Sequence, residues 1–210
     1  MATYESGLMG RFKGKVGPVI GAKWKGIPYM RSRNNIISRA PSLKQLEHRA
    51  RFALVSTFVH SIGRLLMQCY PDTAEMTAIN NAFAALYANA ITGSYPDFEL
   101  DFSKVLISKG ELHNGDALAV TASGNGMVEF TWADNTDGLM AHQDDRSVLL
   151  VHCPEKKQSI YTLNGPERRE CKASLNAINF KGNPVKTWIA FINRDKNLVS
   201  TSVYTGELMM

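Results

Sequence analysis

Near residue 100 the spacing of apolar residues along this 210-residue chain changes from helical to alternating. Before that point Leu46, Ala50, Ala53, Leu54, Phe58, Ile62, Leu65 and Cys69 recur every three or four residues, one face of a helix that ends near Tyr70-Pro71. Ser42-Leu43-Lys44-Gln45 has the form of a capping box at its start. Asp72-Thr73-Ala74-Glu75 signals a second start, followed by Met76, Ile79, Phe83, Leu86, Tyr87 and Ala90, with Gly93 placed to end the helix. Only Pro71-Asp72 separates the two, so a helical hairpin is expected over residues 42–96.

Beyond residue 100 the chain reads as short strands: 102–108, 117–123, 127–133, 147–153, 158–163, 171–177, 187–193 and 199–204. Turn-rich spacers such as Gly124-Asn125-Gly126 and Gly182-Asn183-Pro184 separate them. Short strands with no helix between them predict an immunoglobulin- or fibronectin-III-like antiparallel β-sandwich over 97–210. Trp188, Ala190 and Ile192 alternate with Ile189 and Phe191, so that strand is expected to be covered on both faces.

Residues 1–41 fit neither pattern. They carry eight Lys and Arg against one acid, a charge of +7, whereas the whole chain carries +5 and the remainder is slightly acidic. Gly7, Gly10, Gly14, Gly17 and Gly21 alternate at spacings of three and four. A helix there is disfavoured, because each interior glycine costs about 1 kcal/mol and Pro18 adds more. We expect an extended or irregular basic arm that becomes ordered on something else. The fold class expected is therefore α+β: arm, two-helix hairpin, sandwich.

Several segments together resemble a known group. Gly14-Lys15-Val16-Gly17-Pro18-Val19, Trp24-Lys25-Gly26, Tyr29-Met30-Arg31, Ile91-Thr92-Gly93-Ser94-Tyr95-Pro96, Ser108-Lys109-Gly110-Glu111-Leu112, Phe130-Thr131-Trp132 and Ser200-Thr201-Ser202-Val203-Tyr204-Thr205-Gly206 are similar to an uncharacterised Bacteroidota-type bacterial family, a domain of unknown function. The resemblance implies a bacterial or phage origin, and that arm and body form one design. It implies no activity and no catalytic residue.

The usual chemical signatures are weak. There is no Gly-x-Ser-x-Gly elbow. Cys153 follows His152, but neighbours on a strand face opposite ways. Gly14-Lys15-Val16-Gly17 lacks the spacing of a phosphate-binding loop. His142-Gln143-Asp144-Asp145 and Asp134-Asn135-Thr136-Asp137-Gly138 read as acidic turns rather than metal sites. Cys69, Cys153 and Cys171 have no metal-like spacing and fit reduced thiols. We expect no enzyme, metal or cofactor. No apolar run reaches the ~18 residues that would span a bilayer. No secretory signal is visible, so synthesis in the cytoplasm is expected, with a particle, filament or virion as the final site.

Function is therefore sought in the arm. The leading expectation is a structural protein that self-assembles into a homo-oligomer, with Val16, Val19, Trp24, Ile27 and Tyr29 as anchors in neighbouring subunits. The second is a protein that binds single-stranded nucleic acid, with Arg11, Lys13, Lys15, Lys23, Lys25, Arg31 and Arg33 on phosphates and Trp24 stacking on bases. A third is a ligand-binding module on the sandwich loops.

Overall fold

A computed structural model describes residues 3–4, 12–34 and 40–210. The chain divides into two compact units, Met1–Ser42 and Leu43–Met210.

The first unit is a sheet. Strands β1 (Thr3–Tyr4), β2 (Phe12–Val16), β3 (Val19–Trp24) and β4 (Ile27–Ser32) pair antiparallel in the order β1-β2-β3-β4. The expected arm is extended, and its strands pair with one another. Two tight turns make this so. Gly17-Pro18 brings Val16 opposite Val19, and Lys25-Gly26 brings Trp24 opposite Ile27. Lys25 and Gly26 both take positive φ, 45° and 86°, as a hairpin turn matched to the twist of its strands requires. Of the glycines that argued against a helix, Gly17 serves as a turn residue and Gly14 and Gly21 lie within strands. Gly21 has a second role: a Cβ there would run into the carbonyl and ring of Phe12. Gly7 and Gly10 lie outside the described residues.

The second unit is α+β. Helices α1 (Leu43–Ser61), α2 (Gly63–Cys69) and α3 (Ala78–Asn89) replace the expected pair. The expected single helix over 42–70 breaks at Ile62-Gly63, where its axis bends by 78°. The bend lets Leu65, Leu66 and Cys69 enter the core, which a straight continuation from Ser61 would not aim correctly. The third helix starts later than Asp72. Thr73 Oγ1 accepts from Met76 N (3.1 Å) and holds a separate turn, and Thr77 Oγ1 then caps α3 by accepting from Asn80 N (3.3 Å). α1 and α3 do fold back on each other, with Phe52 against Phe83 (4.9 Å between ring centroids) and His48 against Tyr87 (5.8 Å). Gly93 does not end α3; it lies in β5 (Ile91–Ser94), which forms a hairpin with β6 (Asp97–Leu100).

The expected strand at 102–108 is absent. A 3-10 turn over Phe102–Lys104 begins there, with Asp101 Oδ1 accepting from Ser103 N at 3.2 Å. The following segment is held by serine side chains rather than by a strand ladder. Ile107 N donates to Ser202 Oγ (2.9 Å), and Ser108 Oγ donates to Ser200 O (2.7 Å). Ser200-Thr201-Ser202 is used up in this contact, so the last strand starts at Val203 rather than Val199.

Seven further strands follow: β7 (Asp116–Ser123), β8 (Met127–Ala133), β9 (Arg146–Cys153), β10 (Gln158–Thr162), β11 (Lys172–Asn176), β12 (Pro184–Ile192) and β13 (Val203–Met209). They form two antiparallel sheets, β11-β8-β7 and β10-β9-β12-β13. The four-stranded sheet is the middle layer. One of its faces, with Val148, Leu150, Trp188, Ala190 and Ile192, packs on the helices. The other, with Leu149, Val151, Cys153, Ile189 and Phe191, packs on Val128, Phe130 and Trp132 of the smaller sheet. β9 and β12 are covered on both sides, which explains their near-continuous apolar sequences. Each fully buried large apolar side chain contributes about 1.5–3 kcal/mol.

Candidate functional site

Three places carry chemistry. The first is the N-terminal sheet, where strand register sorts the side chains into faces. Lys15, Ile20 and Arg31 lie in one row, Ala22 and Tyr29 in the next, and Trp24 and Ile27 in the last. Partners in antiparallel strands share a face, so Lys15, Arg31, Trp24, Ile27 and Tyr29 come together. Val16 and Val19 lie on the opposite face with Lys23 and Met30. Lys25 is in the turn, Lys13 is exposed on β2, Arg33 follows β4, and Arg11 lies outside the described residues. The two expected sets of residues are thus divided between faces. Sequence reasoning missed Met30, which is 70% exposed; Ile27 is 67% exposed. All six residues of β4 are exposed, and β4 is an edge strand.

The second place is a groove of about 600 Å³ in the second unit, between α1, the β5–β6 hairpin and one end of the four-stranded sheet. Leu54, Phe58, Phe98, Leu100 and Phe102 form its walls. One side of it meets a polar row across the sheet, of which His152, Lys186 and Glu207 line the groove. Ser159 of β10 is paired with His152 of β9, His152 with Lys186 of β12, and Lys186 with Glu207 of β13. His152 Nδ1 lies 2.8 Å from Ser159 Oγ, which lies 2.7 Å from Ser61 Oγ of α1. Burial pushes the His152 imidazole down to about 4, so it is neutral at pH 7. Phe58 meets its ring edge-on at 4.9 Å. Lys186 Nζ lies 2.6 Å from Glu207 Oε2 and 5.6 Å over the Phe102 ring. Cys153, the next residue, faces the other core. The histidine–serine contact is a chain between sheet and helix; no carboxylate joins it in the described hydrogen bonds.

The third is the loop region that holds the acidic turns. Asp145 does not point outward; it is buried beside Arg168, with Oδ2 3.1 Å from Nη2. Arg168 is fully buried and also donates to Asn135 Oδ1 (2.8 Å) and His113 O (2.7 Å), while its guanidinium lies 4.1 Å over the Phe191 ring. Trp132 Nε1 donates to Arg168 O at 2.7 Å. Asp137 Oδ1 accepts from the backbone N–H groups of Leu139, Met140 and Ala141. These bonds, that from Leu139 first, hold its carboxyl down to about 2. The carboxylates of Asp134, Asp137 and Asp145 are staples of their own loops. Among the described residues no three His, Cys, Asp or Glu converge as a metal site. Nothing local marked Arg168: Glu167-Arg168-Arg169-Glu170 reads as a solvated charge run.

Cys69 and Cys153 are buried core residues, and burial pushes Cys69 up to about 12; Cys171 is partly exposed. Among the described residues no single helix is long and apolar enough to cross a membrane. No curated protein matches the sequence. A family model matches residues 11–206, nearly the whole chain, and the protein belongs to that family, a family of unknown function (DUF6266).

Proposed function

We propose that this protein is a structural subunit that self-assembles, with the β2–β4 sheet docking on a neighbouring copy. The observation that carries this reading is β4. It is a six-residue edge strand, wholly exposed, bearing Ile27, Tyr29 and Met30. An exposed apolar edge strand is a template for another chain, although Pro28 has no N–H to offer. The rigid hairpin lowers the ordering entropy that a floppy arm would lose on docking. The body, on this reading, is a fibronectin-III-like sandwich, with β7, β8 and β11 in one sheet and β9, β10, β12 and β13 in the other, serving as the packing bulk of a filament, virion or similar particle.

Light scattering coupled to size exclusion tests the proposal. The full-length protein is expected to form oligomers whose size rises with concentration. The double variant Trp24→Ser/Ile27→Ser removes two exposed anchors and is expected to weaken association by about 30-fold or more. A full-length protein that stays monomeric at high concentration sinks the proposal.

The common face of Lys15 and Arg31 with Trp24 and Tyr29 favours a second reading, binding of single-stranded nucleic acid on that face. Such binding weakens steeply with salt, and Lys15→Glu/Arg31→Glu abolishes it. Absence of binding at about 50 mM salt rules it out.

A further inference from the structure

We infer that the groove beside α1 binds a small molecule with an apolar body and a single carboxylate, the body lying between Leu54 and Phe98 and the carboxylate on Lys186. This rests on the second unit alone and is independent of assembly. The groove's volume, about 600 Å³, falls inside the range of small-molecule sites, roughly 300–1,000 Å³. Ala50 and Ala53 line it from α1, and their short side chains leave the depth that longer ones would fill. The lining residues His152, Lys186 and Glu207 are neighbours in one row across the sheet, so the ligand that fits places a polar end there.

The sign of that end follows from the donors. The Lys186 ammonium has three N–H groups, and its ion-pair partner among the described residues is Glu207, which is half exposed. Lys157 stands at the mouth and takes part in no ion pair among the described residues. Glu99 also borders the groove, but it alternates with Phe98 and Leu100, which turn inward, and is itself exposed. His152 is neutral and adds no charge. Lys186 therefore keeps N–H groups beyond its bond to Glu207, and Lys157 adds a second cation to the lining. With one buried-side ammonium and no arginine fork, a monoanion matches better than a phosphate.

Calorimetric titration of the full-length protein with decanoate, and with 1-decanol as the uncharged match, tests this. Decanoate is expected to bind saturably, and decanol about ten-fold more weakly. Lys186→Gln is expected to erase that preference while leaving decanol binding in place. Ala53→Phe, at an exposed helix position that tolerates a larger side chain, fills the groove and is expected to abolish both; a thermal melt checks that it stays folded. Absence of saturable decanoate binding, decanol binding as tightly as decanoate, or decanoate binding unchanged in Ala53→Phe each overturns the inference.

Discussion

Replacing Arg168 with methionine is expected to destabilise the folded protein by about 3–5 kcal/mol, the usual cost of breaking a buried ion pair from one side. The reason is what stays behind. Asp145 keeps only the His142 N–H on Oδ2, and its Oδ1 already has no partner. The carbonyl of His113 and the amide oxygen of Asn135 lose their donor at the same time. A buried carboxylate and two part-buried acceptors are left uncompensated, and methionine refills only the volume over Phe191. Arg169→Met is the control. Arg169 is 62% exposed and pairs with Glu167 at 2.6 Å, so its loss is expected to cost less than about 1 kcal/mol. Adding Asp145→Asn to Arg168→Met is expected to restore part of the stability, because the unpaired charge goes. Urea unfolding midpoints measure all four proteins. Equal midpoints for the Arg168 and Arg169 variants refute the assignment of Arg168 as the pin of these loops.

The second large effect is a loss of stability in mild acid. His152 has its folded value lowered from 6.5 to about 4 by burial. An unfolded chain takes up this proton near pH 6.5, but the folded one resists until about pH 4. Between these values the unfolded state binds more protons, so stability rises with pH. The contribution is complete above pH 6.5 and fades as pH falls toward 4, by about 3 kcal/mol in all. Asp137 acts lower, since its carboxyl is held from 3.8 to about 2 and its stabilisation goes only as pH falls through that range. The two windows are separable. In His152→Asn, whose amide still offers Ser159 a partner, the slope of unfolding free energy between pH 4 and 6.5 is expected to flatten. Parallel pH profiles for the two proteins show that His152 is not the group responsible.

Much of the scaffold is legible because burial writes a period into the sequence. Residues 147–153 and 187–193 read as strands, the second of them as covered on both faces, and both belong to the middle layer. The helical register of Phe58, Leu65 and Cys69 is also sound, but it hid the break at Ile62-Gly63. Periodicity counts which residues are buried, and a bend that keeps them buried leaves the count unchanged. The segment 102–108 failed for a related reason. Val105 and Ile107 are buried as alternation demands, yet their backbone is satisfied by Ser202 and by the Trp188 indole instead of a ladder.

The candidate sites were legible to different degrees. The arm's glycines and aromatics were visible, but the sharing of faces between Lys15, Arg31, Trp24, Ile27 and Tyr29 depends on which residues oppose one another across two turns. The groove was not legible. Ala53 belongs to α1, Phe98 to a hairpin about forty-five residues later, and Lys186 to a strand almost ninety residues beyond that.

By itself the sequence determined the α+β class, the strands of the middle layer and the basic, glycine-rich character of the first forty residues, because local periodicity and composition record burial and turns directly. Only the tertiary structure decided that the arm pairs with itself, that Asp145 and Arg168 are buried together, and that a histidine, a lysine and a glutamate line one groove. These depend on which distant segments meet, and on how much water each meeting excludes, and no run of neighbouring residues encodes either.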